Sequence, residues 1–467
     1  MTTPAAAVPA AALSGLREQF GGRLLLPADD GYDTARLVWN GAIDRRPALI
    51  ARCSGPPDVA LAVRFAREHE LPATIRGGGH GVGGHAVSDG GMVIDLSGMT
   101  SVTVDPQAGT ATAAGGATWG EFDTAAARFG LATTGGQIST TGVAGLTLGG
   151  GLGWLMRSFG ASVDNLLAAD IVDADGSYLS ASENQHPELF WALRGGGGNF
   201  GIATALTFRL HEIGPVLGGA IFWPVAQAAA VIGHYTALTA AAPDAVSLMT
   251  YFVPRLNAPF IPPELRDEPL VAIAVCCHDQ RLWDKVTSSL RVFGTPAGDS
   301  LTPMGYPQLQ SLYDITAPFG MQAYWRSAYL TGLPDAAIAT IGQFAASASS
   351  SLSQILITHL GGALRDAPAA GTSFGHREAG HVLEIIAKWN DGPTAPHARW
   401  ADEFLAAMQP FATGGVYVNF LGDEGRARIE AAYEPDSMAR LSELKARYDP
   451  GNFFSANQNI LPAATAR

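Results

Sequence analysis

Three glycine-rich loops decide how the chain reads: RGGGHGVGGH at residues 76–85, GVAGLTLGGGLG at 142–153 and RGGGGNFG at 194–201, with a weaker TTGG at 133–136. Two of them satisfy the spacing GxGxxG, through Gly79, Gly81 and Gly84 and through Gly196, Gly198 and Gly201. In a Rossmann site that spacing joins a strand to a helix whose N-terminus faces the pyrophosphate. Here the second match leaves the helical pattern PELFWALR and enters the strand-like IATALTFRL, while the first leads from one strand to another, MVIDL. Neither has the context of a Rossmann site. Glycine still lets backbone N–H groups approach an anion closely, and several such loops in one region suit a long dinucleotide cofactor lying in a groove.

Outward from the loops, residues 47–51, 73–76 and 92–96 are predicted strands, and 57–69 a helix with Val59, Leu61, Ala62 and Phe65 on its apolar side. Residues 118–130 predict a helix capped by Thr118 and ended by Gly130. The run ADIVDADGSYLSAS reads as a hairpin turning at Asp175-Gly176, and 202–210 as a strand. At Gly214-Pro215 the texture changes. Residues 216–425 alternate helical patterns (225–242, 334–347) with strands such as 355–360, which predicts a separate antiparallel sheet covered by helices. The segment from about residue 426 ends in RYDPGNFFSANQNI, a stretch of turn formers.

A length of 467 residues exceeds one ordinary core, so two domains are expected. A net charge of -13 argues against a nucleic-acid partner, whose phosphates need a basic face. Residues 131–156 carry no charge, yet their eight glycines and six Ser or Thr make a poor spanning helix, so no membrane partner is expected. Residues 1–22 lack the basic start and apolar core of a signal peptide, and a reducing cytoplasm is the expected compartment. Cys53, Cys276 and Cys277 form no CxxC pair; adjacent strand side chains diverge, so Cys276, Cys277 and His278 predict a buried structural role and no metal site.

The same loops carry a family resemblance. RGGGHGVGGH, GVAGLTLGGGLGWLMRSFG, the Asp-Asn at 164–165, ELFWALRGGGGNFGI and YDPGNFFSANQNI resemble, in order, the berberine bridge enzyme-like FAD-linked oxidases. Among bacterial members the chain is most similar to the enterocin favorskiiase subgroup, notably over residues 40–53. The resemblance implies an α+β, PCMH-type flavin domain in two parts, 1–215 and 426–467, with a substrate domain at 216–425 inserted between them. It implies FAD bonded covalently through His80, a small-molecule substrate and O2 as partners, and an oligomeric state left open. Cofactor-binding residues carried over are Arg76, Gly77, Gly78, Gly79, Gly81, His85, Thr141, Gly142, Gly145, Leu146, Asn199, Gly201, Ile202, Tyr417, Asn419 and Asn457.

Departures from the family pattern narrow the activity. Where many relatives attach the flavin a second time through cysteine, this chain has Ile138, so a single link is expected. The family's Tyr-x-Asn-Tyr, whose last tyrosine is a base in sugar oxidases, reads Tyr417, Val418, Asn419, Phe420 here. Aligning His376-Arg377 with an HR-like turn brings Glu384 to the glutamate base of the berberine bridge enzyme itself; a carboxylate in an apolar strand has its pKa raised toward working pH. The favorskiiase glutamate matches Leu356, with His359 nearby. Candidate catalytic residues are therefore Glu384, Tyr417, Tyr251 and His359, and candidate pocket residues Tyr324, Trp325 and Arg326. The expected activity is oxidation of a phenolic or secondary-metabolite alcohol with release of hydrogen peroxide. Alternatives are a flavin-oxygenating monooxygenase, for which Thr141 matches an oxygen-pocket threonine, an oligosaccharide oxidase, or a flavin carrier without catalysis.

Overall fold

The computed structural model describes residues 9–464; the expectation for the N-terminal stretch falls partly on residues 1–8, outside this range. A four-stranded sheet follows the order Arg23–Leu25, Leu49–Arg52, Met92–Asp95, Ala73–Arg76, with its last three strands parallel. The helix Pro56–Glu68 connects two of these strands and buries Val59, Ala62 and Phe65. Leu61 is only half-buried, so the apolar side is centred a little away from it. A second, five-stranded antiparallel sheet runs Val102–Asp105, Thr110–Ala114, Ile202–Arg209, Leu166–Val172, Tyr178–Ser182. Its predicted hairpin turns where Asp173 Oδ1 accepts from Asp175 N at 2.9 Å and Ser177 N at 2.8 Å. The helix expected at 118–130 is shorter, Trp119–Ala127, and starts on a capping box in which Thr118 Oγ1 accepts from Glu121 N and Glu121 Oε2 accepts from Thr118 N.

The third sheet positions the site. Eight strands pair antiparallel, Gly298–Asp299, Val216–Pro224, Leu270–Cys277, Val246–Val253, Gln354–His359, His381–Trp389 and Gln322–Leu330 in order, with Thr302–Met304 beside Val216–Pro224. Strand side chains alternate between faces. Leu383, Ile385 and Ala387 point to one face, together with Leu248, Ile355 and Ala328, and pack on the helices Ala228–Ala241, Asp335–Ala346 and Thr394–Met408 through Tyr235, Ile341 and Phe404. The opposite face looks at the glycine-rich loops. Cys277 joins the helix-covered face while Cys276 packs on the other, so the two thiols do not converge.

A helix unread in the sequence, Pro435–Tyr448, brings the last segment back to the first region. Lys445, fully buried, donates to Asp449 Oδ2 at 2.7 Å, Asn199 O at 2.8 Å and Phe454 O at 2.9 Å. Asn199 returns the contact, with Nδ2 donating to Gln458 O at 3.1 Å and Oδ1 accepting from Ile460 N at 3.0 Å. Among the described residues no helix is long and apolar enough to cross a membrane.

Candidate active site

Between the glycine loops and the open face of the large sheet lies a cavity of about 380 Å³. Its floor is backbone. The loop after Ala73–Arg76 contributes Gly77, Gly78, Gly79, His80 and Gly81, and the loop around Val143–Leu148 contributes Thr141, Gly142, Gly145 and Leu146. Gly201, Ile202, His85 and Asn457 complete one end. The loops touch: a Cβ on Gly78 would lie 2.3 Å from Gly142 N. At Gly81 and Gly145, by contrast, a Cβ would meet nothing within 4 Å, because these glycines border the cavity. Asn457 Oδ1 is buried there without a hydrogen-bond partner. A long channel walled by glycine backbone, with an orphaned polar atom at its end, fits a flavin dinucleotide.

His80 sits in this floor. Its Nε2 lies 2.8 Å from Thr140 Oγ1, and its ring stacks on Trp39 at 5.6 Å between centroids. Burial lowers its pKa to about 4, so the imidazole is neutral at pH 7. Nearby, Tyr417 OH accepts from Gly151 N at 2.8 Å, Leu152 N at 3.3 Å and Asn419 Nδ2 at 2.8 Å, while Asn419 also donates to Leu146 O at 2.9 Å. Burial pushes the phenol up to about 12 despite these donors. Tyr417 and Asn419 thus fasten the 146–152 backbone and still line the cavity.

The roof is made of side chains. Glu384, Ile386 and Lys388 descend from one face of His381–Trp389, flanked by Gln354 and Leu356 and by Met249 and Tyr251. Glu384 is 4% exposed and lines the cavity, and among the described residues its carboxyl makes no hydrogen bond to the protein. Burial raises its pKa to about 8, Lys388 opposing the shift. Tyr251, 8% exposed, packs edge-on against Tyr313 at 5.9 Å, and burial holds its phenol neutral. Trp325 stacks on Phe420 at 5.4 Å, with both rings on the cavity wall.

Five of the residues named from sequence sit elsewhere. Tyr324 and Arg326 flank Trp325 on its strand and therefore point to the helix-covered face, where both reach Asp402. His359 is outside the cavity lining: its Nε2 lies 3.1 Å from Arg157 Nη1, and burial followed by the Arg157 charge drives its pKa down to about 2. The Arg76 guanidinium turns away from the floor to pair with Asp95 Oδ2 at 2.5 Å. Asn199 braces the last segment beside a smaller adjoining hollow. Sequence reasoning missed Lys388, Gln354, Met249 and Tyr313. The available signal was the two-residue period from Glu384 through Ile386 to Lys388.

Comparison with known proteins agrees with this geometry. The signature described as "FAD binding domain" matches residues 47–182 and that of "Berberine and berberine like" matches 416–461. The chain is 30% identical over 458 residues to (R)-6-hydroxynicotine oxidase of Paenarthrobacter nicotinovorans, covering 94% of this chain and 97% of that one. It superposes on the crystal structure of 6-hydroxy-D-nicotine oxidase from Arthrobacter nicotinovorans with a TM-score of 0.84 at 27% identity, covering 95% and 98% of the two chains. It shares the fold of xylooligosaccharide oxidase from Myceliophthora thermophila, with a TM-score of 0.83 at 22% identity over 98% and 100% of the chains. A glycine-floored channel, the two family signatures and a relative matched over nearly its whole length converge: the chain belongs to the berberine bridge enzyme-like family of FAD-linked oxidoreductases.

Proposed function

We propose that the protein is an oxidase of a phenolic or secondary-metabolite alcohol, with FAD attached through His80 alone and Glu384 as general base. Residues 1–215 and 426–467 then form the flavin domain around a substrate domain at 216–425. The observation that carries this reading is the buried carboxyl of Glu384, which lines the same cavity as His80 and makes no protein hydrogen bond among the described residues. Bound FAD supplies the two-electron acceptor, and its reoxidation by O2 yields hydrogen peroxide. His80 is neutral, and with Nε2 held by Thr140 its other nitrogen is left to make the covalent bond. Glu384, once ionised, takes the proton from the substrate hydroxyl. Trp325, Phe420, Tyr251 and Leu356 exclude water and hold an aromatic or polycyclic body. Phe420, stacked on Trp325, offers no acceptor to a sugar hydroxyl, which disfavours an oligosaccharide substrate.

Acid denaturation of the purified protein tests the link: yellow flavin should stay with the wild-type polypeptide and leave the His80→Ala variant. Flavin released from both would remove the covalent bond. Flavin oxygenation is a second reading, favoured by Thr141 on the cavity wall. Stoichiometric peroxide release with substrate would exclude it.

A further inference from the structure

Lys388 is a costly residue to bury in a ligand cavity. It is 4% exposed, and among the described residues it makes no ion pair within 4 Å. Its ammonium donates to Thr316 O at 2.6 Å and to Gln354 Oε1 at 2.5 Å, two neutral acceptors that aim the group. An ammonium has three N–H groups, so one remains without a protein acceptor. Thr316, Gln354 and Lys388 all line the cavity. Glu384 shares their face but stands four residues away along the strand, roughly 13 Å between Cα atoms at about 3.3 Å per residue. Ile386 lies between them on the strand, with Gln354 paired to Ile386 and Leu356 to Glu384 on the neighbouring strand. Burial brings the Lys388 ammonium down to about 8 with the Glu384 charge opposing that shift, so the two groups feel each other without an ion pair within 4 Å among the described residues.

We propose that Lys388 is an anion subsite: it binds a carboxylate or phenolate at the end of the substrate remote from the carbon that is oxidised. This rests on the assignment of the Glu384 cavity as the substrate site, and it narrows the substrate class to acidic aromatic or polycyclic alcohols. A buried cation gains most from an ionised partner, because a charge-assisted hydrogen bond formed away from water is stronger than a neutral one. Gln354 and Thr316 fix the position of Nζ, so the subsite discriminates by geometry as well as by charge.

The test titrates the purified flavoprotein at pH 7 with 2-naphthoate and with 2-naphthamide, a pair matched in shape, and follows perturbation of the flavin absorbance. Wild type should bind naphthoate roughly tenfold or more tighter than naphthamide. Lys388→Met and Lys388→Gln should bring the two affinities within about twofold of each other, and Lys388→Arg should keep the preference. Equal affinities in the wild type, or a preference that survives in Lys388→Met and Lys388→Gln, overturns the proposal. So does a loss of sulfite addition to the flavin in Lys388→Met with naphthoate preference intact, which would assign the lysine to the cofactor. Glu384→Gln separates the two readings: loss of turnover speaks to the base, whereas naphthoate preference in that variant speaks only to Lys388.

Discussion

The floor and the roof of the cavity are built on different principles. The floor is backbone, and its shape depends on the absence of side chains at Gly78, Gly81, Gly142 and Gly145. The roof is an array of side chains on a sheet, where Glu384, Ile386, Lys388, Leu356 and Tyr251 project from strands whose backbone is held by neighbouring strands. A floor of this kind recognises a cofactor common to many enzymes. In the proposed reading, a roof of this kind sets which substrate is used. The difference predicts that floor substitutions cost folding and flavin uptake together, whereas roof substitutions cost turnover with flavin retained.

The largest effect should come from the brace under the floor. Asp449→Ala leaves Lys445 buried with its charge unpaired, at a cost of about 3–5 kcal/mol, visible as a lowered thermal midpoint and reduced flavin incorporation. Gly78→Ala forces a methyl group against Gly142 N and should destabilise by about 1–3 kcal/mol, with a reduced ratio of flavin to protein absorbance. If that variant holds full flavin, the floor is more pliant than its contacts imply.

On the roof, Glu384→Gln should slow turnover by roughly tenfold or more while flavin stays bound. Its pH profile sharpens the assignment. The group is raised to about 8, so the ionised base accumulates as pH rises through that value and kcat/KM should rise with it. In Glu384→Gln that limb should vanish; its persistence would move the base elsewhere. The smallest effect belongs to Tyr324→Phe. That hydroxyl meets Asp402 on the helix-covered face, so stability should change by less than about 0.5 kcal/mol and kcat/KM should stay the same.

Legibility in the sequence followed the same division. Glycine clusters advertise the floor because close backbone approach permits almost no other residue, and the failed Rossmann context was itself readable from strand and helix periodicity. The roof was harder. Tyr324, Trp325 and Arg326 are consecutive, so one strand cannot aim all three into a cavity; which face is covered by helices decides that Trp325 is the one. His359 ends the strand Gln354–His359, and only the fold brings Arg157 beside it, 202 residues away in sequence. Glu384 is legible through motif alignment, and Lys388, four residues on, through two further steps of the strand period. The helix Pro435–Tyr448 is obscured in the sequence by the turn formers that directly follow it.

The brace through Lys445 and Asn199 also has a consequence in time. Asn199 and Ile460, which it joins, are 261 residues apart. At a synthesis rate of about 5–20 residues per second, roughly 13–50 s pass between the making of one partner and the other. Through that interval the loop at 194–201 has been made but cannot close, and the end of the channel near Asn457 does not yet exist. Closure of the channel therefore falls late, after the eight-stranded sheet has been made, and a nascent chain stalled before residue 445 would display an open, glycine-lined groove.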